Sequence, residues 1–317
     1  MEKNCIVCNS NKRKVLYQLF DDRYGYPELY HLNKCLECGH IFLQCRMSDD
    51  ELIELYTQYY PRSSFDLSLF QPYVKETGFL PWLNGNSSAA YYWIPRNVRV
   101  LDVGCGLGQS LAYHEQRGCE AYGVEADHNI KRIADKFGFD VHVGLFDSDV
   151  YPADFFDYIT MHQVLEHFVD PVKALQGVKK ILKPKGTVIL TLPNANGCGA
   201  TVFGKRWINW HAPYHLQFFS RKSMKIAAKK SGLIIERIKT ITSSEWLYYQ
   251  WIHLSVYPEV GKKSVFWDPL SKPSDLEQKK LNRITKIHRK TKMNHLMTRF
   301  FDSMGIGDNI LYFLKNE

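Results

Sequence analysis

Between residues 97 and 242 short apolar runs alternate with stretches whose apolar residues recur at helical spacing. The runs 98–103, 121–124, 139–143, 158–161, 187–192 and 233–241 read as strands, and 108–117, 128–136, 171–182 and 220–230 read as helices. Alternation at this spacing implies a parallel sheet with helices on both faces, whose ligands bind beyond the carboxyl ends of the strands. The flanks break the rhythm. Residues 1–47 hold paired cysteines and short strand-like pieces. A helix is expected over 48–60, with Ser48 as N-cap, Glu51 three residues on, and Leu52, Ile53, Leu55 and Tyr56 at helical spacing. A connection rich in Pro, Ser and Asn follows it. Near the end, Gly305-Ile306-Gly307-Asp308 signals a turn, and 309–314 reads as a last strand able to rejoin the sheet.

The cysteines add a second unit. Eight cysteines in a chain without a secretory signal after Met1 suit a reducing compartment, so a cytoplasmic protein with metal-bound thiols is expected rather than a disulfide framework. Cys5-x2-Cys8 and Cys35-x2-Cys38 stand 26 residues apart and can offer four thiolates to one tetrahedral zinc, with Gly39 easing the turn. Four protein ligands leave no position for water, so this zinc is structural. Cys45 is left over as a small core residue. The expected fold is α/β: a doubly wound, mostly parallel seven-stranded sheet with a small N-terminal zinc ribbon and a helical C-terminal insertion. Its units are 1–47 (ribbon), 48–97 (helical linker), 98–242 (core) and 243–317 (insertion and final strand).

Composition narrows the class. With 45% hydrophobic and 23% charged residues in 317, a mainly disordered or fibrous chain is excluded. The charge-free stretches 77–95 and 186–204 are broken by Pro, Gly, Asn and Ser, so neither reads as a membrane span. The net charge of +8 is lopsided: 221–317 hold 19 basic against 9 acidic residues, and 279–299 hold eight basic and none acidic. Within 281–300, Leu281, Ile284, Ile287, Met293, Leu296, Met297 and Phe300 recur at roughly helical spacing. This suits an anionic surface such as a lipid headgroup, a phosphate-bearing substrate or nucleic acid, or else a helix packed on the domain with a solvated basic face. The aromatic run 246–257 reads as a lid or an interfacial patch.

Chemistry concentrates where the first core strand ends. Asp102-Val103-Gly104-Cys105-Gly106-Leu107-Gly108 joins a strand to a helix, and its glycines let a ligand approach the backbone. Asp102 is an anion better suited to a cation than to a pyrophosphate. Glu125 closes the next strand 19 residues after Gly106, where an acid can accept two ribose hydroxyls.

These segments resemble motifs I and II of the class I methyltransferases that use S-adenosylmethionine. The resemblance implies that Asp102, Gly104 and Gly106, with Cys105 between them, hold the methionine portion of that cofactor, and that Glu125, followed by Ala126, holds the ribose. Gly144-Leu145-Phe146-Asp147 matches the loop in which an apolar side chain packs on adenine and an acid reads its amino group. His162 to Pro171, HQVLEHFVDP, resembles the family's segment after strand four, and His162 is counted with the cofactor residues. Leu182-Lys183-Pro184-Lys185-Gly186 resembles its turn before strand five, with Lys185 where glycine is usual. Residues 30–60 and the Trp207, His211, His215-Leu216-Gln217-Phe218-Phe219-Ser220 region resemble zinc-ribbon methyltransferases of surface-polysaccharide and specialised-metabolite pathways. The expected acceptor is therefore a small molecule, such as a sugar on a nucleotide or lipid carrier, with peripheral contact to the inner membrane face.

Methyl transfer from a sulfonium needs alignment and a proton acceptor. His215 or His167 is the candidate base, and His211 the orienting residue; the alternative is that the Glu166-His167 pair orders its loop. Cys105, Cys119 and Cys198 read as packing residues rather than nucleophiles, and Trp207 and Trp210 as a stacking wall or core cover. An RNA methyltransferase is disfavoured, because 1–47 lack a basic excess and no Asn-Pro-Pro-Tyr-like segment follows strand four. A non-catalytic cofactor-binding protein conflicts with the intact acidic and glycine positions.

Overall fold

The computed structural model describes residues 4–44, 48, 50, 51, 55, 66–268 and 270–316. Most of the helix expected over 48–60, and Cys45, lie outside them. The start of that helix is capped as expected: the Glu51 carboxylate accepts from the Ser48 N–H at 2.7 Å, and the Ser48 hydroxyl accepts from the Glu51 N–H at 3.2 Å.

Eleven strands among the described residues form two sheets. The larger contains β4 (Arg99–Val103), β5 (Glu120–Glu125), β6 (Asp140–Val143), β7 (Phe156–His162), β8 (Leu182–Pro193), β10 (Leu233–Thr240) and β11 (Asn309–Asn316), in the order β10-β11-β8-β7-β4-β5-β6. β6-β5-β4-β7-β8 are parallel; β11 lies antiparallel between β8 and β10. The last strand does return to the sheet, and Asp308 anchors its start by accepting from the Gly199 N–H at 2.7 Å. Its central strands are apolar on both sides because both faces are covered. One face packs Leu111, Ile130 and Ile133 from α2 (Gln109–Glu115) and α3 (Ile130–Phe137); the other packs Leu175, Val178 and Met224 from α4 (Pro171–Ile181) and α6 (Arg221–Lys230), with the short α5 (Cys198–Phe203) following β8.

β8 begins five residues earlier than expected, at Leu182. Its register jumps from Leu182 opposite Phe156 to Thr187 opposite Tyr158, so residues 183–186 arch out of the pairing. Lys185 sits exposed on that arch, where a side chain in place of glycine meets only solvent.

The smaller sheet, order β1-β2-β3-β9, comprises β1 (Arg13–Phe20), β2 (Leu29–Cys35), β3 (Ile41–Gln44) and the two-residue β9 (Gln217–Phe218). β9 comes from the core segment, so the cysteine unit is paired directly to the cofactor-binding half of the molecule. Trp207 and Trp210 settle as core: both are buried beneath this sheet, edge to face at 4.9 Å.

The basic stretch is two helices, α8 (Asp275–Lys290) and α9 (Met293–Ser303), interrupted by extended backbone at Thr291. α8 buries none of its residues and leans on the aromatic helix α7 (Ser244–Ser255) through Tyr248, which stacks on His288 at 4.2 Å and bonds Thr285 at 2.9 Å. α9 holds the short helix α1 (Phe79–Asn84) by an Arg299 guanidinium bond to the Trp82 carbonyl at 2.9 Å. No helix among the described residues is long and apolar enough to cross a membrane.

Candidate functional site

The glycine loop turns between β4 and the helix Gln109–Glu115. Gly104 has φ +75°, and a Cβ there would collide with Val164, so the residue is glycine for two separate reasons. Gly106 also has positive φ, +57°, yet a Cβ there would meet nothing within 4 Å. Its backbone faces open space at the carboxyl end of the sheet, as a loop that cradles a ligand must. The Cys105 side chain turns away into the core against Gly123.

Glu125 ends β5 beside that loop. One carboxylate oxygen accepts from the Gly106 N–H at 2.7 Å, the other from the Asp127 N–H at 3.0 Å. Ala126, half-buried, follows. Asp102 is deeper than the sequence suggests. Rather than opening onto the site, it is 3% exposed beneath the loop, bonded to the Ser110 hydroxyl and, at 2.6 Å, to that of Thr160. Burial raises its pKa to about 6 against the pull of those hydroxyls, with the nearby Glu125 charge adding to the rise. Phe146 is half-buried beside Phe168, ring centres 6.3 Å apart, and Asp147 is exposed, capping a short turn through the Asp149 N–H at 2.9 Å. His162 ends β7; its Nδ1 bonds Thr191 Oγ1, and burial pulls its pKa down to about 4. Asp102, the glycines, Glu125, Ala126, Phe146, Asp147 and His162 thus all border the carboxyl ends of β4–β7.

Sequence reasoning missed one wall. The 66–97 connection brings Tyr73 and Tyr91 into a parallel stack 4.8 Å apart, and Tyr91 meets His162 edge-on at 5.3 Å. The paired tyrosines Tyr91-Tyr92 were the available signal, masked by a linker-like composition.

The three histidines proposed for proton transfer are brought together. His167 lies on the 3-10 turn after β7, and its ring stands perpendicular to that of His215, 4.7 Å away; His211 is 5.0 Å from His215. The Nδ1 atoms of His167 and His215 bond the carbonyls of Tyr214 and Asn209, each at 2.8 Å. A carbonyl only accepts, so each Nδ1 carries the proton and each Nε2 the lone pair. Burial drives the pKa values of His211 and His215 well below the ordinary imidazole range, keeping both neutral near pH 7. Tyr24 of the N-terminal segment packs edge-on against His211.

The four N-terminal cysteines also converge. Their sulfurs lie within 4.8 Å of one another, with Cys5–Cys38 at 3.6 Å and Cys8–Cys35 at 3.5 Å. Tetrahedral zinc with bonds of about 2.3 Å needs sulfurs about 3.8 Å apart, so the set fits the ion closely. Two turns build it: Asn9 (φ +63°) after the first pair and Gly39 (φ +72°) after the second. The Ser220 hydroxyl donates to the Cys38 carbonyl at 3.2 Å, tying the cluster to the histidine segment.

A seven-stranded sheet of this order, with a glycine loop answered by an acid on the next strand, defines the fold of the class I S-adenosylmethionine-dependent methyltransferases. The residues present fit that cofactor: a carboxylate at the end of β5 suits a ribose, and the Gly106 backbone lies open above the buried Asp102. The family comparison agrees, for a model described as "Methyltransferase domain" matches residues 78–238, and the chain belongs to that family. Among curated relatives, a ubiquinone biosynthesis O-methyltransferase of Alkalilimnicola ehrlichii is 32% identical over 108 residues, 31% of this chain and 42% of that one. The same enzyme of Paraburkholderia phymatum is 27% identical over 158 residues, 45% and 68% of the two chains. The chain spans roughly half the length of the first of these relatives. A Haemonchus contortus N-methyltransferase solved with phosphomonomethylethanolamine and S-adenosylhomocysteine superposes with a TM-score of 0.51 at 17% identity, covering 86% of this chain and 61% of that one. That likeness concerns the fold alone.

Proposed function

We propose that the protein transfers a methyl group from S-adenosylmethionine to a small molecule, and that the acceptor is a sugar carried on a nucleotide or lipid precursor of a surface glycan. One observation carries the cofactor reading: the Gly106 N–H held by the Glu125 carboxylate beside open backbone. Glu125 would hold the ribose, Gly104 and Gly106 the methionine portion over a buried Asp102, and Phe146 and Asp147 the adenine. Bound there, the cofactor supplies an electrophilic methyl on a good leaving group. His167, the more exposed of the pair, is our candidate base, with His215 and His211 orienting it. Zinc in the four-cysteine cluster would be structural. The sugar reading is supported by the resemblance of residues 30–60 and 207–220 to polysaccharide-pathway methyltransferases.

The test is transfer of labelled methyl from S-adenosylmethionine to nucleotide sugars, lipid-linked sugars, phenolic quinone precursors and RNA. Label on a sugar supports the full reading. Label on a phenol alone keeps the enzyme class and replaces the acceptor, as the names of the curated relatives suggest; label on RNA alone overturns the small-molecule reading.

A further inference from the structure

Helices α5, α7 and α9 border a pocket of about 470 Å3, walled by Phe203, Leu247, Trp251, Met297 and Phe301. That volume is within the roughly 300–1,000 Å3 of small-molecule sites, and the inner surface is overwhelmingly apolar. Gly307 and Asp308 line it just before β11, whose first residue Asn309 pairs with Pro193 at the carboxyl end of β8. The pocket is therefore on the same edge of the sheet as the cofactor loop. β11 stands three strands from β4, roughly 14 Å at the usual strand spacing. Gln163, next to His162, spans the interval by bonding Asn309 at 2.7 Å.

The polar side chains of the lining are already committed. Asp308 accepts from the Gly199 N–H at 2.7 Å and the Trp207 indole N–H at 3.4 Å; Thr242 bonds Asp302 and Thr298 the Asn294 carbonyl. A ligand thus finds apolar contact inside, next to a carboxylate that repels anions. The rim has the opposite charge. Lys205 and Arg206 follow α5, exposed, and Lys292 precedes α9, two residues before the Asn294 amide that accepts from Trp251 Nε1 at 3.3 Å. Residues 198–210 and 288–301 contain no acid. On α9 the exposed Leu296 and Phe300 carry the apolar surface outward.

We propose that this pocket takes the hydrocarbon chain of a phosphate-bearing lipid, with Lys205 and Lys292 holding the phosphate at the rim and the head group directed along the strand ends toward the cofactor. Apolar walls pay for burying a chain, and basic groups outside an acid-lined interior fix which end enters. The inference rests on the lipid-carrier form of the acceptor proposed above.

The test is calorimetry on the full chain with butyl, octyl and dodecyl phosphate, each below its micelle concentration. Affinity should climb roughly fourfold for each buried methylene and level once the pocket is full. Equal affinity at all lengths overturns the proposal. The double variant Lys205→Glu, Lys292→Glu should weaken dodecyl phosphate about fivefold and leave dodecyl maltoside unchanged; an unchanged phosphate affinity removes the rim from the scheme. A second readout uses the unaltered chain. Cys198 lies in the pocket wall, half-buried, and dodecyl phosphate should slow its alkylation by a maleimide, mapped by mass spectrometry, whereas inorganic phosphate should not. Absence of protection overturns the site, and protection by short-chain phosphatidylglycerol alone marks a resident membrane lipid and overturns the acceptor assignment. Neither readout involves methyl transfer. Chain binding with no label on any sugar keeps the pocket and sinks the sugar reading; label on nucleotide sugars with no chain binding does the reverse.

Discussion

The Gly106 N–H and the Glu125 carboxylate meet at 2.7 Å, joining the glycine loop to the end of β5. A ribose would add its hydroxyls to the same carboxylate. Glu125→Ala should weaken S-adenosylhomocysteine binding about ten- to a hundredfold, the ~1.5–3 kcal/mol of a hydrogen bond to a charged group. Calorimetry on the folded variant checks this, and an unchanged affinity removes Glu125 from the site.

Gly104 and Gly106 should fail differently when replaced by alanine. At Gly104 the added methyl runs into Val164, so Gly104→Ala should lower the melting temperature. At Gly106 it meets no protein atom, and only the positive φ opposes it, at a cost of about 1 kcal/mol. Gly106→Ala should therefore stay close to wild type in stability and lose cofactor affinity. Equal melting temperatures for the two variants would contradict this division.

Asp102 should make cofactor binding depend on pH. Its carboxyl ionises at about 6 in the folded chain, against 3.8 as the ordinary value. Between these values the native state holds a proton that the unfolded state has released, so this group's contribution to stability falls as pH rises to about 6 and is flat above. A cationic sulfonium nearby favours the ionised form. S-adenosylmethionine affinity should thus rise about tenfold from pH 5 to pH 7, following the ionised fraction, and flatten in Asp102→Asn. Titration calorimetry at several pH values tests it; parallel profiles would place the proton elsewhere.

Much of this was legible in the chain. The six core strands and four helices fall within a few residues of their expected places, because sheets covered on both faces demand continuous apolar runs and helices demand a single apolar stripe. The four cysteines and the glycine–acid pair were also legible, since each motif is short and geometrically demanding. What the sequence hid depends on contacts between distant segments. The Tyr73–Tyr91 stack, the burial of Asp102 under Ser110 and Thr160, and the capture of Gln217–Phe218 by the ribbon sheet have no local signature. Nor does the unsatisfied carboxylate of Glu166, which exists only because the histidine segment folds over it.

Losing the four-cysteine cluster should damage more than the ribbon. Cys38→Ser, or chelation, should release the Ser220 tie and the β3–β9 pairing. Hydrogen exchange is expected to quicken over 41–44 and 215–220 while β4, β7 and β8 stay protected. Uniform quickening across both sheets, or none, would speak against a local structural ion.

The α1–α9 surface carries Phe79, Leu80, Trp82, Leu296 and Phe300, each more than half exposed, next to the basic α8. Apolar side chains beside lysines and arginines suit an anionic membrane face. Sedimentation with vesicles containing anionic lipid should show binding that weakens as salt rises and is lost in Phe300→Asp. An absence of binding at low salt would leave the patch without that partner.

The two-residue strand β9 ties the architecture together in an unexpected place. Because the cofactor-binding half lends these residues to the cysteine-rich half, no cut between the two leaves either whole. A fragment starting after residue 47 would bare the greasy undersides of Phe218, Trp207 and Trp210, and should come out of cells as insoluble material rather than as a minimal catalyst.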